Sequence, residues 1–338
     1  MTSGATTDLP SVVIAIPTFH RPERLAPLLA EVRRQAEAVR HLVADGTSPQ
    51  ILVVDNDAEG SARDAVTQAD VPGVQYVVEP IPGIAAARNR AIDEGCDHRL
   101  LAFIDDDEMP CERWLSSLIA TWSDTGAAAV SGYVIPDYEQ TPDPWIVAGG
   151  FFVRAHEPTG TLRTVAPANN LMLDLQQLRA VGLRFEDPFG LAGGEDTLLT
   201  RRMSAAGLRI VWCEESVVAD LVPAARARRS WVLKRALSHG NTSSLVEREL
   251  AGNPRKRRAV SARLVAGGSA RVGAGSAKAL AGTVVRSQQL QARGLRLAFR
   301  GAGMTVGALG VVVEEYARGT GRRRRTPAAL LSSARSGR

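Results

Sequence analysis

The feature that most constrains the fold of this chain is a couplet repeated along its first hundred residues. A short apolar run, nearly continuous and rich in β-branched side chains, ends in polar or acidic residues, and an amphipathic stretch follows. SVVIAI (residues 11–16) stops at Pro17 and Thr18, ILVV (residues 51–54) ends in Asp55, Asn56 and Asp57, and LLAFI (residues 100–104) runs into Asp105, Asp106 and Asp107. Residues 74–78 form a further run of this kind. Between them, residues 22–40 carry Leu25, Leu28, Leu29 and Val32 at helical spacing, residues 61–68 read as a second helix, and Gly83 opens a third over residues 84–94. Strands that are apolar on both faces, alternating with helices, predict an α/β fold with a parallel sheet covered on both sides. In open sheets of this kind ligands bind beyond the carboxyl ends of the strands. Thr18, Asp55, Asp57 and the Asp105–Asp107 triplet therefore converge on one sheet edge, although they are far apart in sequence.

The triplet is the sharpest chemical signal. Three adjacent carboxylates repel one another unless a cation is present. At strand spacing Asp105 and Asp107 point to one side and Asp106 to the other. Two hard oxygen ligands on one side suit Mg2+ or Mn2+, with diphosphate oxygens completing the octahedron. An acidic turn in water is the bland alternative, and the position of the triplet at the end of a core strand favours the metal.

Later segments are less regular. Residues 137–168 are rich in Pro and Gly and read as a connecting wall with a strand at 151–153. Residues 169–173 and 210–212 read as further strands, with a helix over 197–206. Residues 230–237 and 245–250 look helical, and 265–310 are rich in Ala and Gly. The three cysteines, Cys96, Cys111 and Cys213, form no C-x-x-C pair, which points away from zinc or a disulfide framework and toward a reducing compartment. The expected chain has no signal peptide and no membrane span, since its apolar runs fall far short of about 20 residues.

Taken together, these segments resemble the family 2 glycosyltransferases, inverting enzymes that use nucleotide-diphosphate sugars. The resemblance covers about residues 11–245. It rests on the ordered set VVIAIPTFHRPERL, ILVVDND, PGIAAARNRAI, LLAFIDDDEMP and GGEDTLLTRRMSAAGLRI. It implies a glycosyltransferase A-type (Rossmann-like) fold, a mostly parallel mixed sheet flanked by helices. The catalytic domain would take residues 1–222, with the nucleotide-binding half at about 11–107 and the acceptor half at about 108–222. A basic helical extension would follow over 223–318, and a disordered basic tail over 319–338.

By the same resemblance, Pro17 and Thr18 lie against the base and ribose, and Asp55 accepts a hydrogen bond from the base, with Asp57 a weaker candidate. Arg88 meets the diphosphate near a helix N-terminus, which attracts anions, and Asn89 has a local structural role. Asp105 and Asp107 hold Mg2+ or Mn2+, and Asp106 belongs to the substrate-binding set. Asp196 is the general base for the acceptor hydroxyl, and Glu195 contacts the acceptor. Many members of the family carry a metal-binding histidine after the last core strand; here Asp220 stands in that segment, and His239 follows on the next helix. A nucleotidyltransferase or a non-catalytic sugar-nucleotide binding protein are the alternatives. The first lacks a Gly-rich phosphate loop here; the second sits badly with the triplet and Asp196 both present.

Charge divides the chain. Residues 1–220 hold 17 basic and 32 acidic side chains, residues 221–338 hold 24 and 4. The basic part has no nucleic-acid reading module and almost no interleaved aromatics, so nucleic acid is not expected as a partner. Anionic lipid fits better, with Trp231, Leu233, Leu237, Phe299 and Met304 as apolar anchors. The expected location is cytoplasmic, peripheral on the inner membrane face, with a sugar, lipid-linked or other hydroxyl acceptor.

Overall fold

The computed structural model describes residues 9–154, 156–190 and 193–313. The expected tail at 319–338 lies outside the described residues. The chain divides into two units. The first takes the chain up to Ile135, then Arg154–Glu186 and Leu199–Leu221; the second takes Pro136–Val153, Asp187–Leu198 and the chain from Val222 onward.

The apolar runs of the first unit become β1 (Val12–Thr18), β2 (Gln50–Asp55), β3 (Val74–Val78) and β4 (Leu100–Ile104). They pair in parallel in the order β3-β2-β1-β4. Alternate residues face opposite layers, as strand geometry requires. Ile14, Ile16 and Val53 join the core under α1 (Leu25–Ala38), with Leu28, Leu29 and Val32. Val13, Ala15, Leu52 and Phe103 face α3 (Ile84–Glu94), with Ala87 and Ala91. The helix expected over 22–40 begins as a 3-10 turn at Pro22–Arg24, and α2 covers Arg63–Ala69.

Past β4 the sheet becomes antiparallel, through β5 (Glu108–Pro110), β6 (Ala129–Tyr138), β7 (Leu162–Arg163), β8 (Asn170–Asp174) and β9 (Ile210–Val222). The full path is β3-β2-β1-β4-β8-β6-β9-β5, with β7 on β9. The expected strand at 210–212 is thus the start of a 13-residue strand. Helices α4 (Trp114–Thr125), α6 (Leu175–Ala180) and α7 (Glu195–Ala205) connect these strands, α7 running from the second unit into the first.

In the second unit residues 151–153 turn rather than extend. Gly150, at φ 64°, ends α5 (Pro144–Gly149), and Phe151 then folds back to stack on Trp145 at 5.4 Å between ring centroids. Aromatic burial overrides the local strand preference. The two helices expected at 230–237 and 245–250 are one, α8 (Arg229–Leu250). The Ala- and Gly-rich segment becomes α9 (Pro254–Val284) and α10 (Gln288–Ala308). Its composition has a packing reason. A Cβ on Gly275 of α9 would stand 2.5 Å from the Ala298 nitrogen of α10, and one on Gly303 would stand 1.9 Å from the Leu237 oxygen of α8. Only glycine allows backbones to approach that closely. No helix among the described residues is long and apolar enough to cross a membrane.

Candidate active site

The strand order reverses at β1, whose neighbours are β2 and β4, and crevices at such switch points are where α/β sheets bind ligands. Thr18 ends β1 in register with Asp55, the last residue of β2. Thr18 Oγ1 donates to Asp106 Oδ2 at 2.8 Å across the switch point. The convergence expected from sequence is therefore present within the first unit.

Asp55 is completely buried. Its Oδ2 accepts from the Ala62 N–H at 2.7 Å and the Tyr76 hydroxyl at 2.7 Å, and its Oδ1 accepts from the Asp57 N–H at 3.1 Å. With about four lone-pair positions on a carboxylate, Asp55 is mostly engaged in shaping its own loop. Burial and this bond to Asp55 push the Tyr76 hydroxyl pKa up. Pro17 is buried in β1. Asn56 closes the same loop, donating to the Glu79 and Ile81 carbonyls and accepting from the Gly83 N–H at 2.8 Å. Gly83, at φ 125°, precedes the first turn of α3.

Arg88 is buried, not a surface residue. Its guanidinium lies over the Phe103 and Phe185 rings at 5.9 and 5.7 Å, and Nη2 reaches Asp105 Oδ1 at 3.3 Å. Asn89 exchanges hydrogen bonds with the Phe185 backbone at 2.9 and 3.0 Å, a structural role.

The triplet departs from strand alternation because residues 105–108 form a turn, closed by the Glu108 N–H donating to the Asp105 carbonyl at 3.1 Å. Asp106 and Asp107 consequently meet one cation, Arg21, whose Nη1 lies 2.6 and 2.9 Å from their oxygens, while Asp105 faces Arg88. Burial pushes the Asp106 carboxyl up to about 6, although Arg21 and Thr18 pull the other way. Burial also raises Asp105, against the pull of Arg88 and with added repulsion from Asp107.

Two residues here were missed from sequence, Arg21 and Glu108. Each follows within a few residues a strand end already singled out, so position was the available signal. Glu108 is buried; its Oε2 accepts from the Asp105 N–H at 3.0 Å and its Oε1 from Asn169 Nδ2 at 2.5 Å. Burial, and then the charge of Asp105, push its pKa well above the ordinary value. Across the β5–β9 pairing it stands opposite Asp220, which lies 3.5 Å from Arg154.

A raised carboxyl binds its proton more tightly in the folded state than in the unfolded chain. Its contribution to stability is therefore full below the unfolded value and is lost as pH rises through the folded one. Gln at 108 would remove the charge and still accept from the Asp105 N–H. Asn169, whose Oδ1 is buried without a hydrogen-bond partner, can turn its amide to accept from Gln. Glu108→Gln should then melt about 2–6 °C above the parent chain, by a margin larger at pH 8 than at pH 5 in calorimetry. A margin that does not grow with pH would show that Glu108 carries no buried-charge penalty.

Three carboxylates, Asp105 to Asp107, thus face two guanidiniums, with the buried Glu108 beside them. Among the described residues no three His, Cys, Asp or Glu side chains are grouped to hold a metal ion by themselves. An all-oxygen set of this size fits a hard cation that takes its remaining ligands from substrate phosphates.

Glu195 and Asp196 belong to the second unit and open α7. Gly193 and Gly194 precede them at φ 79° and 91°. A Cβ on Gly194 would also stand 2.3 Å from Thr242 Cγ2 of α8, so both backbone conformation and space require glycine there. Asp196 Oδ1 accepts from the Thr197 N–H at 2.5 Å, and Glu195 is buried. His239 is exposed on α8.

A switch-point crevice lined by carboxylates, in a sheet that turns from parallel to antiparallel, defines a glycosyltransferase A-type fold. The chain belongs to glycosyl transferase family 2, whose sequence model matches residues 13–174, and it is a glycosyltransferase. It is 36% identical over 233 residues to the succinoglycan biosynthesis protein ExoM of Rhizobium meliloti (strain 1021), covering 68% of this chain and 72% of that one. It is 26% identical over 215 residues to glycosyltransferase AglE of Haloferax volcanii, covering 63% and 67%. In fold it is similar to the mannosyltransferase PcManGT from Pyrobaculum calidifontis, solved with GDP-Man and Mn2+, with a TM-score of 0.51, 19% identity and 86% of each chain covered.

Proposed function

We propose that this chain transfers a sugar, with inversion, from a nucleotide-diphosphate sugar to an acceptor hydroxyl in polysaccharide or other glycoconjugate synthesis. The observation that carries the reading is the acidic turn Asp105–Asp107 at the end of β4, whose Asp106 accepts from Thr18 across the β1/β4 switch point. The likeness to a succinoglycan biosynthesis protein supports the product class.

On this reading Pro17, Thr18 and the loop held by Asp55 receive the nucleoside, with the remaining Asp55 lone pair directed to the base. Arg88 and Asp106 border the diphosphate. Asp105 and Asp107 are the ligands for Mg2+ or Mn2+, which when bound stabilises negative charge on the leaving diphosphate. Asp196 accepts the proton of the acceptor hydroxyl as that oxygen attacks the anomeric carbon from the face opposite the leaving group. Glu195 contacts the acceptor. The basic helices hold the enzyme against the inner membrane leaflet, where lipid-linked acceptors lie.

A thermal-shift screen of nucleoside diphosphates and their sugars, with and without Mn2+, tests the donor assignment. Ligand at a hundred times its Kd stabilises by about 2.7 kcal/mol, so at least one nucleotide should raise the midpoint by several degrees, and further with Mn2+. A flat response to every nucleotide would sink the reading.

A further inference from the structure

The basic helices have an unexpected distribution of exposed apolar side chains. None of the anchors expected from sequence is exposed: Trp231, Leu233, Leu237, Phe299 and Met304 are all at least partly buried, with Trp231 and Leu233 packed on Trp145 and Val232. Four of the large side chains left outside are instead grouped where α9 turns into α10, while Leu309 and Val311 are exposed at the far end of α10. Leu280, Val284 and Val285 are 66, 75 and 62% exposed, and Leu290 follows at 37%. Lys278, Arg286 and Arg293 flank them, all exposed. From 251 to 313 the chain carries eleven Lys and Arg and no Asp or Glu.

The turn itself is strained in a telling way. The Arg286 N–H donates to the Thr283 carbonyl at 3.3 Å and the Ser287 N–H to the Gly282 carbonyl at 2.8 Å, the bond pattern that ends helices with a left-handed residue. That position, at φ 55°, holds Arg286 where glycine is ordinarily found. A non-glycine residue at such φ carries a backbone cost. Here it places a guanidinium at the very tip of a helical hairpin, among exposed valines.

We propose that the α9–α10 tip is the element that enters an anionic lipid surface, with Leu280, Val284, Val285 and Leu290 among the acyl chains and Lys278, Arg286 and Arg293 at the headgroups. This deepens the membrane part of the proposed function and rests on it. Charge complementarity selects the occupant. A second copy of this hairpin would bring eleven cations against eleven, and like charges oppose association. An anionic bilayer pairs with the cations and buries the apolar tip, each cation near the surface contributing about fivefold in binding and each buried valine about tenfold or more.

The test is co-flotation of the full chain with vesicles of phosphatidylcholine alone or mixed with phosphatidylglycerol. The full chain should float with the anionic vesicles only. Val284→Glu/Val285→Glu should bind at least about tenfold more weakly with an unchanged melting curve, because both side chains are exposed, and Arg286→Gln about fivefold more weakly. The tryptophan introduced in a Val284→Trp chain should shift its emission to the blue on anionic vesicles. If the full chain floats but the double variant floats equally well and the emission of the Val284→Trp chain is unmoved, the tip assignment is wrong while the membrane reading stands. Absence of flotation, or dimerisation or DNA binding through the same residues in its place, would overturn both. The nucleotide screen is independent of either result.

Discussion

Asp196→Asn should lower turnover by about a hundredfold to ten-thousandfold, the usual contribution of a positioned general base. Nucleotide-diphosphate affinity should stay within about twofold, since removing a proton acceptor lowers kcat without touching ground-state binding. The substitution is well suited to the question. Asn accepts the Thr197 N–H as Asp does, so this bond in the first turn of α7 is kept. What is lost is the charge that takes a proton. The measurement is release of nucleoside diphosphate from the donor found by thermal shift, beside calorimetric binding of the same nucleotide. Turnover near that of the parent chain would exclude Asp196 as the base. Equal loss of turnover and binding would make it a structural residue, acting through the approach of Gly194 to Thr242.

Asp105→Asn and Asp107→Asn should each remove the effect of Mn2+ on nucleotide binding. Metal and nucleotide that share a site strengthen one another by a common factor, and couplings of this kind run from about 5- to 150-fold. Titrating nucleotide with and without Mn2+ should show that factor in the parent chain and a factor near one in each variant. Binding without metal should survive in both variants. Retention of the full Mn2+ effect in both variants would remove these residues from the metal site. Arg21 gives the contrast its meaning. It pairs with both Asp106 and Asp107 in the structure, so a cation arriving with the nucleotide competes with a guanidinium already in place.

Much of the first unit was legible because its strands are buried on both faces. A run such as ILVV has few ways to be satisfied other than inside a covered sheet, and α3 and β4 emerge at the expected residues. The glycine before α3 and the polar residues after each strand mark one sheet edge for the same reason. The antiparallel half was harder to read. β6 and β9 are partly buried along their length, and their pattern gives no clean period. The basic helices hid their apolar tip because helical spacing says which residues share a face, not which face is covered.

The sequence by itself determined the α/β class, the strand ends that carry the chemistry, and the family, since these depend on local pattern and ordered motifs. Only the tertiary structure decided what those residues touch. It turned the aspartate triplet out of strand alternation, gave Asp106 and Asp107 a shared partner in Arg21, buried Arg88 against a pair of phenylalanine rings, and bonded Glu108 to the Asp105 backbone. It also covered the tryptophan and leucine of α8 and left the valines of the α9–α10 turn outside. The physical reason is common to all of these. Burial and charge pairing are settled by residues distant in sequence, and no local period encodes which distant neighbour arrives.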